Sequence, residues 1–89
     1  MIGKKAHPDS LEIQGEHITV TADPNEFAVW DNDDQQRKPA CMERGRRSAA
    51  KFYQWASENK DSIVRMTFVQ INQAMFDLGI GCSYLYVIH

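Results

Sequence analysis

The sequence predicts a single small α+β domain: a small antiparallel sheet with two helices packed on one of its faces. A length of 89 residues leaves room for one domain. Short segments in the first third alternate apolar and polar residues, as half-buried strands do. Longer segments in the second half repeat apolar residues every three or four positions, as helices do. With a last strand-like segment, the predicted order is β-β-β-α-α-β, and the domain spans residues 1–89.

The first predicted elements are a hairpin and a third short strand. Residues 11–14 and 17–22 alternate in polarity on either side of a Gly-containing break, which is typical of a β-hairpin. Residues 23–25 have turn chemistry, and residues 27–30 form the third predicted strand. Residues 1–9 are expected to be a loose leader, and the polar residues 31–39 a loop. The residues expected to share the buried face of the hairpin are Leu11, Ile13, Ile18, Val20 and Ala22.

Two helices are predicted between residue 40 and Gly79. The first begins near residues 40–43 and ends near residues 59–60, and the second begins at a cap on Asp61 or Ser62. Gly79 is expected to end the second helix. A restart near Thr67 is the alternative, because Thr67-x-x-Gln70 has the spacing of a capping box. The apolar stripes are Cys41, Gly45, Ser48, Ala49, Phe52, Trp55 and Ala56 for the first helix, and Val64, Phe68, Ile71, Met75 and Leu78 for the second.

Residues 82–88 are the most strand-like segment of the chain. They are apolar on both faces, which is typical of a strand that is covered on both sides. With helices on one side of the sheet only, the second face of this strand needs a cover. A second copy of the chain is one candidate for that cover, so a homodimer is one expectation.

Composition favours a cytoplasmic protein. Two cysteines, Cys41 and Cys82, are too few for a disulfide framework, and the sequence does not say whether they pair. The first ten residues are polar and do not resemble a signal peptide. No apolar run approaches the roughly 20 residues that a membrane span needs. We therefore expect a reduced, intracellular protein that does not contact a membrane.

No motif in the chain identifies a reaction or a cofactor. Residues 31–34 begin like a calcium loop, but Gln36 stands at the glycine position and Met42 at the bidentate glutamate position. Residues 79–81 follow a predicted helix, the reverse of the order in a phosphate-binding loop. The histidine and cysteine spacings match no metal site or nucleophile–base pattern. The sequence therefore predicts a non-enzymatic protein without a metal or cofactor.

Charge is segregated along the chain. Residues 1–36 sum to −6 and residues 37–51 sum to +5, within a net charge of −2. Such asymmetry bears on the choice of partner. The basic segment admits three interpretations: phosphate contacts with nucleic acid, contact with an anionic protein surface, or a solvated helix face neutralised by Asp31, Asp33 and Asp34. Its members are Arg37, Lys38, Arg44, Arg46, Arg47 and Lys51, of which Arg44, Arg47 and Lys51 would line one side of a helix.

The acidic residues admit a complementary interpretation. They would imitate phosphates and occupy a nucleic-acid site on another protein, and a plain solvated loop is the alternative. The acids concerned are Asp23, Glu26, Asp31, Asp33 and Asp34. Together with the basic segment, Asp31, Asp33 and Asp34 complete the predicted partner-binding residues.

One segment carries a resemblance to a known class of proteins. Residues 78–84, Leu-Gly-Ile-Gly-Cys-Ser-Tyr, follow an aromatic-rich helix pair and are similar to the end of an inhibitor of type II-C Cas9. The likeness covers a minority of the chain. In its size, charge segregation and absence of a catalytic set, the chain resembles the small inhibitors that phages encode against bacterial defences, anti-CRISPR proteins among them. The resemblance implies a protein target such as a nuclease.

The leading expectation is therefore a protein-binding module that inhibits a host or defence protein, such as a CRISPR nuclease complex. Its residue-level support is a pair of oppositely charged patches together with aromatic residues, since Arg, Tyr and Trp are common interface anchors. The alternative is an accessory protein that binds nucleic acid through residues 37–51.

Overall fold

The computed structural model describes residues 10–34, 39–44 and 46–80. Their fold confirms the predicted α+β class, with a four-stranded antiparallel sheet followed by helices. The strands lie side by side in chain order. The elements are β1 (Leu11–Gln14), β2 (Ile18–Asp23), β3 (Glu26–Asp31), β4 (Cys41–Arg44), α1 (Arg46–Glu58), α2 (Lys60–Ile63) and α3 (Phe68–Asp77).

The first three strands follow the predicted pattern. β1 pairs with β2 from Leu11 opposite Ala22 to Gln14 opposite Thr19, so the predicted apolar face points to one side of the sheet. Four of its five residues are buried and Leu11 is partly buried against the core. At the β2–β3 turn, Oδ1 of Asp23 accepts hydrogen bonds from the backbone N–H groups of Asn25 and Glu26, at 2.7 and 2.9 Å. This is the turn chemistry that the Asp-Pro-Asn sequence predicts.

The predicted start of the first helix is wrong, because Cys41–Arg44 forms β4. The strand pairs with β3 from Val29 opposite Cys41 to Glu26 opposite Arg44, and the backbone N–H of residue 40 already bonds to the Val29 carbonyl. Cys41 and Gly45 are four positions apart and extend the apolar period of the helix backwards, which explains the error. Pairing satisfies the backbone groups along the edge of β3, and that gain overrides the local pattern.

Helix α1 covers the apolar face of the sheet. It packs against β2, β3 and β4, and its residues Ala49, Phe52 and Ala56 are fully buried as the predicted stripe requires. The ring of Phe52 stacks on that of Phe27 in β3 with centroids 4.1 Å apart, and Trp55 follows Phe52 at 5.8 Å. This aromatic cluster fixes the helix on the sheet through a large buried apolar area.

The predicted long second helix is wrong, and the alternative restart at Thr67 is confirmed. Thr67 has an extended backbone (φ −89°, ψ 170°), so no helix runs through it. Its Oγ1 accepts a hydrogen bond from the Gln70 N–H at 3.2 Å, and its own N–H donates to Oε1 of Gln70 at 2.9 Å. This capping box begins α3. The break leaves the Val64 carbonyl free of a helical partner, and it accepts a hydrogen bond from the Glu16 N–H at 2.9 Å.

Gly79 ends α3 as predicted. Its φ of +79° lies in the left-handed region that favours glycine. The Gly79 N–H donates to the Phe76 carbonyl at 2.9 Å and the Ile80 N–H donates to the Met75 carbonyl at 3.0 Å. These two bonds form a Schellman motif. The motif turns Ile80 into the core, where it is 4% exposed.

Three predictions concern parts of the chain that are only partly described. The expected leader (residues 1–9) and the expected last strand (residues 82–88) lie outside the described residues. The predicted loop begins after β3 with the turn at residues 32–34, and residues 35–38 are not described. No helix among the described residues is long and apolar enough to cross a membrane.

Candidate functional site

The order of the strands decides which loops meet. In an antiparallel sheet with strands in chain order, alternate connections lie at the same end. The β1–β2 turn therefore lies beside the residues that follow β3, as the pairing of Ile18 with Asp31 shows. The β2–β3 turn and the start of α1 lie at the opposite end, where Glu26 pairs with Arg44.

The first of these ends carries a group of carboxylates. We call it the acidic end and define it as Glu16, Asp31, Asp33 and Asp34. Glu16 comes from the β1–β2 turn, and the three aspartates come from the end of β3 and the turn after it. The side chains of Glu16 and Asp33 are 66% and 64% exposed. Two connections that are 15 residues apart in sequence therefore present their acids on one surface.

Asn32 ties the two connections together. Its side-chain Oδ1 accepts a hydrogen bond from the Thr19 hydroxyl at 2.9 Å, and its Nδ2 donates to the Gly15 carbonyl at 3.2 Å. Its backbone N–H donates to the His17 carbonyl at 2.8 Å. An amide side chain can donate and accept at once, so this one residue holds both the strand and the turn. The acidic end is an ordered surface for this reason.

Further hydrogen bonds orient the carboxylates themselves. Oδ1 of Asp31 accepts a hydrogen bond from the Asp33 N–H at 3.0 Å, and the Asp31 carbonyl accepts from the Asp34 N–H at 3.1 Å. The ring Nδ1 of His17 lies 2.9 Å from Oδ2 of Asp33, and its Nε2 lies 4.0 Å from Oε1 of Glu16. The His17 ring therefore lies beside both of these carboxylates.

The helical layer supports the acidic end from behind. The backbone of Gly15 lies so close to the α2–α3 connection that a Cβ would come within 2.9 Å of the Ile18 carbonyl oxygen, 3.0 Å of that of Val64 and 3.1 Å of that of Ile63. Val64 itself is 38% exposed beside the turn. The backbone of this exposed apolar residue thus adjoins the turn that carries Glu16.

The basic residues do not form the predicted helix face. Arg44 lies on β4, which corrects its predicted place on the helix, and its Nε is 3.3 Å from Oε1 of Glu26. Arg47 and Lys51 are exposed on α1, and Nζ of Lys51 lies 3.4 Å from the Leu78 carbonyl oxygen. Arg46 is the first residue of α1. Arg37 and Lys38 lie outside the described residues.

The two charged groups lie at opposite ends of β3. β3 has six residues, from Glu26 to Asp31, so the Cα atoms of these two residues lie roughly 17 Å apart along the strand. Asp31 is therefore placed away from Arg44, which pairs with Glu26 instead. For the other members of the basic segment, neutralisation by Asp31, Asp33 and Asp34 stays a prediction. The proposed set of five phosphate-like acids is also divided, because Asp23 and Glu26 flank the far turn.

The metal-ligating side chains that the structure describes lie within residues 10–34, 39–44 and 46–80. Among the described residues, no group of three or more His, Cys, Asp or Glu side chains is placed to hold a metal ion. In the same residues, every buried side-chain nitrogen and oxygen has a hydrogen-bond partner. Cys41 is 2% exposed, as the core prediction requires, but it is disulfide-bonded, which corrects the expectation of reduced cysteines. The cysteines thus no longer support a reducing compartment.

Comparison with known proteins adds no relative. No protein-family model, no curated protein and no solved structure matches the chain. The resemblance to phage-encoded inhibitors therefore stays a prediction, and the functional argument rests on the geometry above.

Sequence reasoning missed two members of the site. The hairpin pattern places Glu16 in a turn, and the calcium-loop comparison includes Asn32, but neither pattern gives these residues a role at this surface. A signal for both was present, because consecutive antiparallel strands bring the first and third connections together. The exact contacts of Asn32 depend on the twist and register of three strands, which no local pattern contains.

Proposed function

We propose that this protein is a non-enzymatic protein-binding module, and that its acidic end binds a basic surface on the target. The observation that carries the proposal is the ordering of the Asp31 and Asp33 carboxylates by hydrogen bonds, beside a Glu16 backbone that is held by the Val64 carbonyl. A preorganised group of charges loses little conformational freedom on binding, so more of its interaction energy remains as affinity.

The chemistry of the acidic end indicates the class of target. Carboxylates separated by one or two residues are matched by Arg and Lys side chains that otherwise contact phosphates. A nucleic-acid-binding protein offers such a surface, and occupation of it would inhibit that protein. A nuclease of a bacterial defence system, such as a CRISPR nuclease complex, is the target that the resemblance to phage-encoded inhibitors implies.

Direct binding of nucleic acid through residues 37–51 is the second candidate. It is favoured by the exposure of Arg47 and Lys51 on one side of α1. It is weakened by the ion pair between Arg44 and Glu26 and by the hydrogen bond from Lys51 to a backbone carbonyl, since both engage bases that phosphates would need.

Affinity capture from a bacterial lysate, with and without nuclease treatment, tests the proposal. The bait is compared with an acid variant (Asp31→Asn, Asp33→Asn, Asp34→Asn) and a matched basic variant (Arg44→Gln, Arg47→Gln, Lys51→Gln). Asparagine keeps the side-chain acceptor of Asp31, so the turn should remain intact.

The proposal predicts one defined protein that the parent and the basic variant recover under both conditions and the acid variant loses. Recovery by the acid variant together with loss by the basic variant would reject the acidic end as the binding surface. If nuclease treatment removes all recovered protein, the protein binds nucleic acid directly and the second candidate function replaces the first.

A further inference from the structure

The solvent side of α3 carries two exposed apolar side chains. Val69 and Phe76 are each 74% exposed, the largest values among the exposed large hydrophobic residues of the described chain. Seven positions make about two helical turns, so the two side chains lie along one line of the helix, about 10 Å apart. The opposite side of α3 buries Ile71 and Met75 in the core. The exposed pair therefore forms an apolar stripe on the side of the helix that faces away from the domain.

The surface around this stripe is neutral. α3 has one charged residue, Asp77 at its end, and positions 68–76 have none. Two amides, Asn72 and Gln73, lie between the apolar pair, and Nε2 of Gln73 donates a hydrogen bond to Oδ1 of Asp77 at 2.9 Å. A strongly charged partner finds no counter-charge along these positions, whereas a neutral helix face is complementary to them.

The stripe is symmetric about its centre, which lies between Asn72 and Gln73. A two-fold axis through this point places two copies of α3 antiparallel, with Val69 of each copy against Phe76 of the other. The amides then lie at the axis, where each meets an amide of the other copy. An amide both donates and accepts hydrogen bonds, so it is compatible with its own copy, whereas a charged residue at the axis would repel its own copy.

The two ends of α3 are electrostatically complementary in the same arrangement. Asp77 is the last residue of α3, where the helix dipole disfavours an anion. Antiparallel pairing places Asp77 beside the first turn of the other copy, where the dipole favours an anion. The exposed Arg65 lies at that end too, two residues before the cap at Thr67. The one charge on α3 is therefore better placed in a pair of helices than in a single copy.

We propose that the occupant of the apolar stripe is a second copy of this chain, whose α3 packs antiparallel on the first across a two-fold axis. Each α3 has 10 residues and is about 15 Å long, so the contact lies at the small end of specific interfaces. We expect weak association, with a dissociation constant on the order of 0.1 mM. Neither Val69 nor Phe76 belongs to the acidic end, so this proposal and the proposed function succeed or fail separately.

The first test is sedimentation equilibrium of the full chain from about 10 µM to 1 mM, a range in which mass action populates a weak dimer. The average mass of the parent should rise toward twice that of the monomer. Val69→Glu and Phe76→Lys should each stay monomeric, because each places an unpaired charge against an apolar side chain. An equimolar mixture of the two variants should associate again, because antiparallel pairing joins the new carboxylate to the new ammonium and leaves one apolar contact intact.

Met42→Glu is the matched control, since Met42 is 49% exposed on β4 and lies outside α3. This variant should associate as the parent does, and circular dichroism at about 10 µM should show that every variant is folded. A parent that is monomeric at about 1 mM would overturn the proposal. So would single variants that associate like the parent, a mixture that stays monomeric, or an equal loss of association in Met42→Glu.

The second test needs no substitution. Heteronuclear NMR of the parent over the same concentrations should show amide signals of residues 67–77 that shift with concentration, because these residues enter the interface. Signals from β1 should stay in place. Concentration-dependent shifts that spare α3 would assign the association to another surface and overturn the proposal.

Discussion

At the scale of single residues, Gly15 shows how tertiary contacts set a local requirement. The sequence correctly places a break at this residue, since glycine between two alternating segments is typical of a hairpin. The actual requirement is space, because three carbonyl oxygens lie within 3.1 Å of the position that a Cβ would take. Two of them belong to Ile63 and Val64, whose approach to the turn depends on the helix break and could not be predicted from the hairpin alone.

Gly15→Ala should therefore destabilise the domain by about 1–3 kcal/mol, since the close atoms are backbone and cannot rotate away. Urea denaturation of the purified protein measures the change. The adjacent Glu16→Ala is the control, because it removes an exposed side chain and should cost no more than about 0.5 kcal/mol. Equal stability of Gly15→Ala and the parent would show that the turn and helix do not approach as described.

At the scale of elements, the sequence predicted the strands and helices that local patterns define. The hairpin, the third strand and the stop at Gly79 each have their own period or turn residue, and each is confirmed. The helical pattern extends wrongly into β4, because Cys41 lies at helical spacing from the apolar residues of α1. The backbone pairing with β3 makes residues 41–44 a strand, and no local pattern contains that pairing. The capping box at Thr67 was visible in the sequence, but the unbroken apolar stripe outweighed it.

The capping box gives a prediction about α3. Thr67→Ala should cost about 1 kcal/mol in unfolding free energy, because it removes the side-chain acceptor for the Gln70 N–H. Thr67→Ser keeps the hydroxyl and should lie within about 0.5 kcal/mol of the parent. Urea denaturation with circular dichroism at 222 nm measures both. A Thr67→Ala protein as stable as the parent would support a continuous helix in place of the restart.

The contact between α1 and the sheet gives a second prediction at this scale. Phe52→Ala should destabilise the protein by about 3–5 kcal/mol, because it removes a fully buried ring stacked on Phe27. In a domain of this size, such a loss approaches the whole stability. Phe76→Ala is the matched control, since Phe76 is 74% exposed and should tolerate the change. Thermal unfolding compares the two variants. Equal melting temperatures would contradict the packing of Phe52 on Phe27.

At the scale of the whole molecule, the order of the four strands places acidic residues at one end of the sheet and the Arg44–Glu26 ion pair at the other. The acids after β3 join Glu16 at one end, and Arg44 meets Glu26 at the other. The charge asymmetry of the sequence predicts a charged binding surface, and Asp31, Asp33 and Asp34 are among the partner-binding residues that it predicts. The separation of Asp31 from Arg44 depends on the strand order, and β4 completes that order. A helix prediction for residues 41–44 does not give it.

The central claim is that the acidic end binds a basic protein surface. Its most direct test is the affinity of the captured target for the parent, the acid variant and the basic variant, measured by calorimetry at two salt concentrations. We expect the acid variant to bind about tenfold to hundredfold more weakly, because three charge contacts are lost, and its affinity to depend less on salt. The basic variant should bind within about threefold of the parent. An acid variant with unchanged affinity, or a larger loss in the basic variant, would contradict the claim.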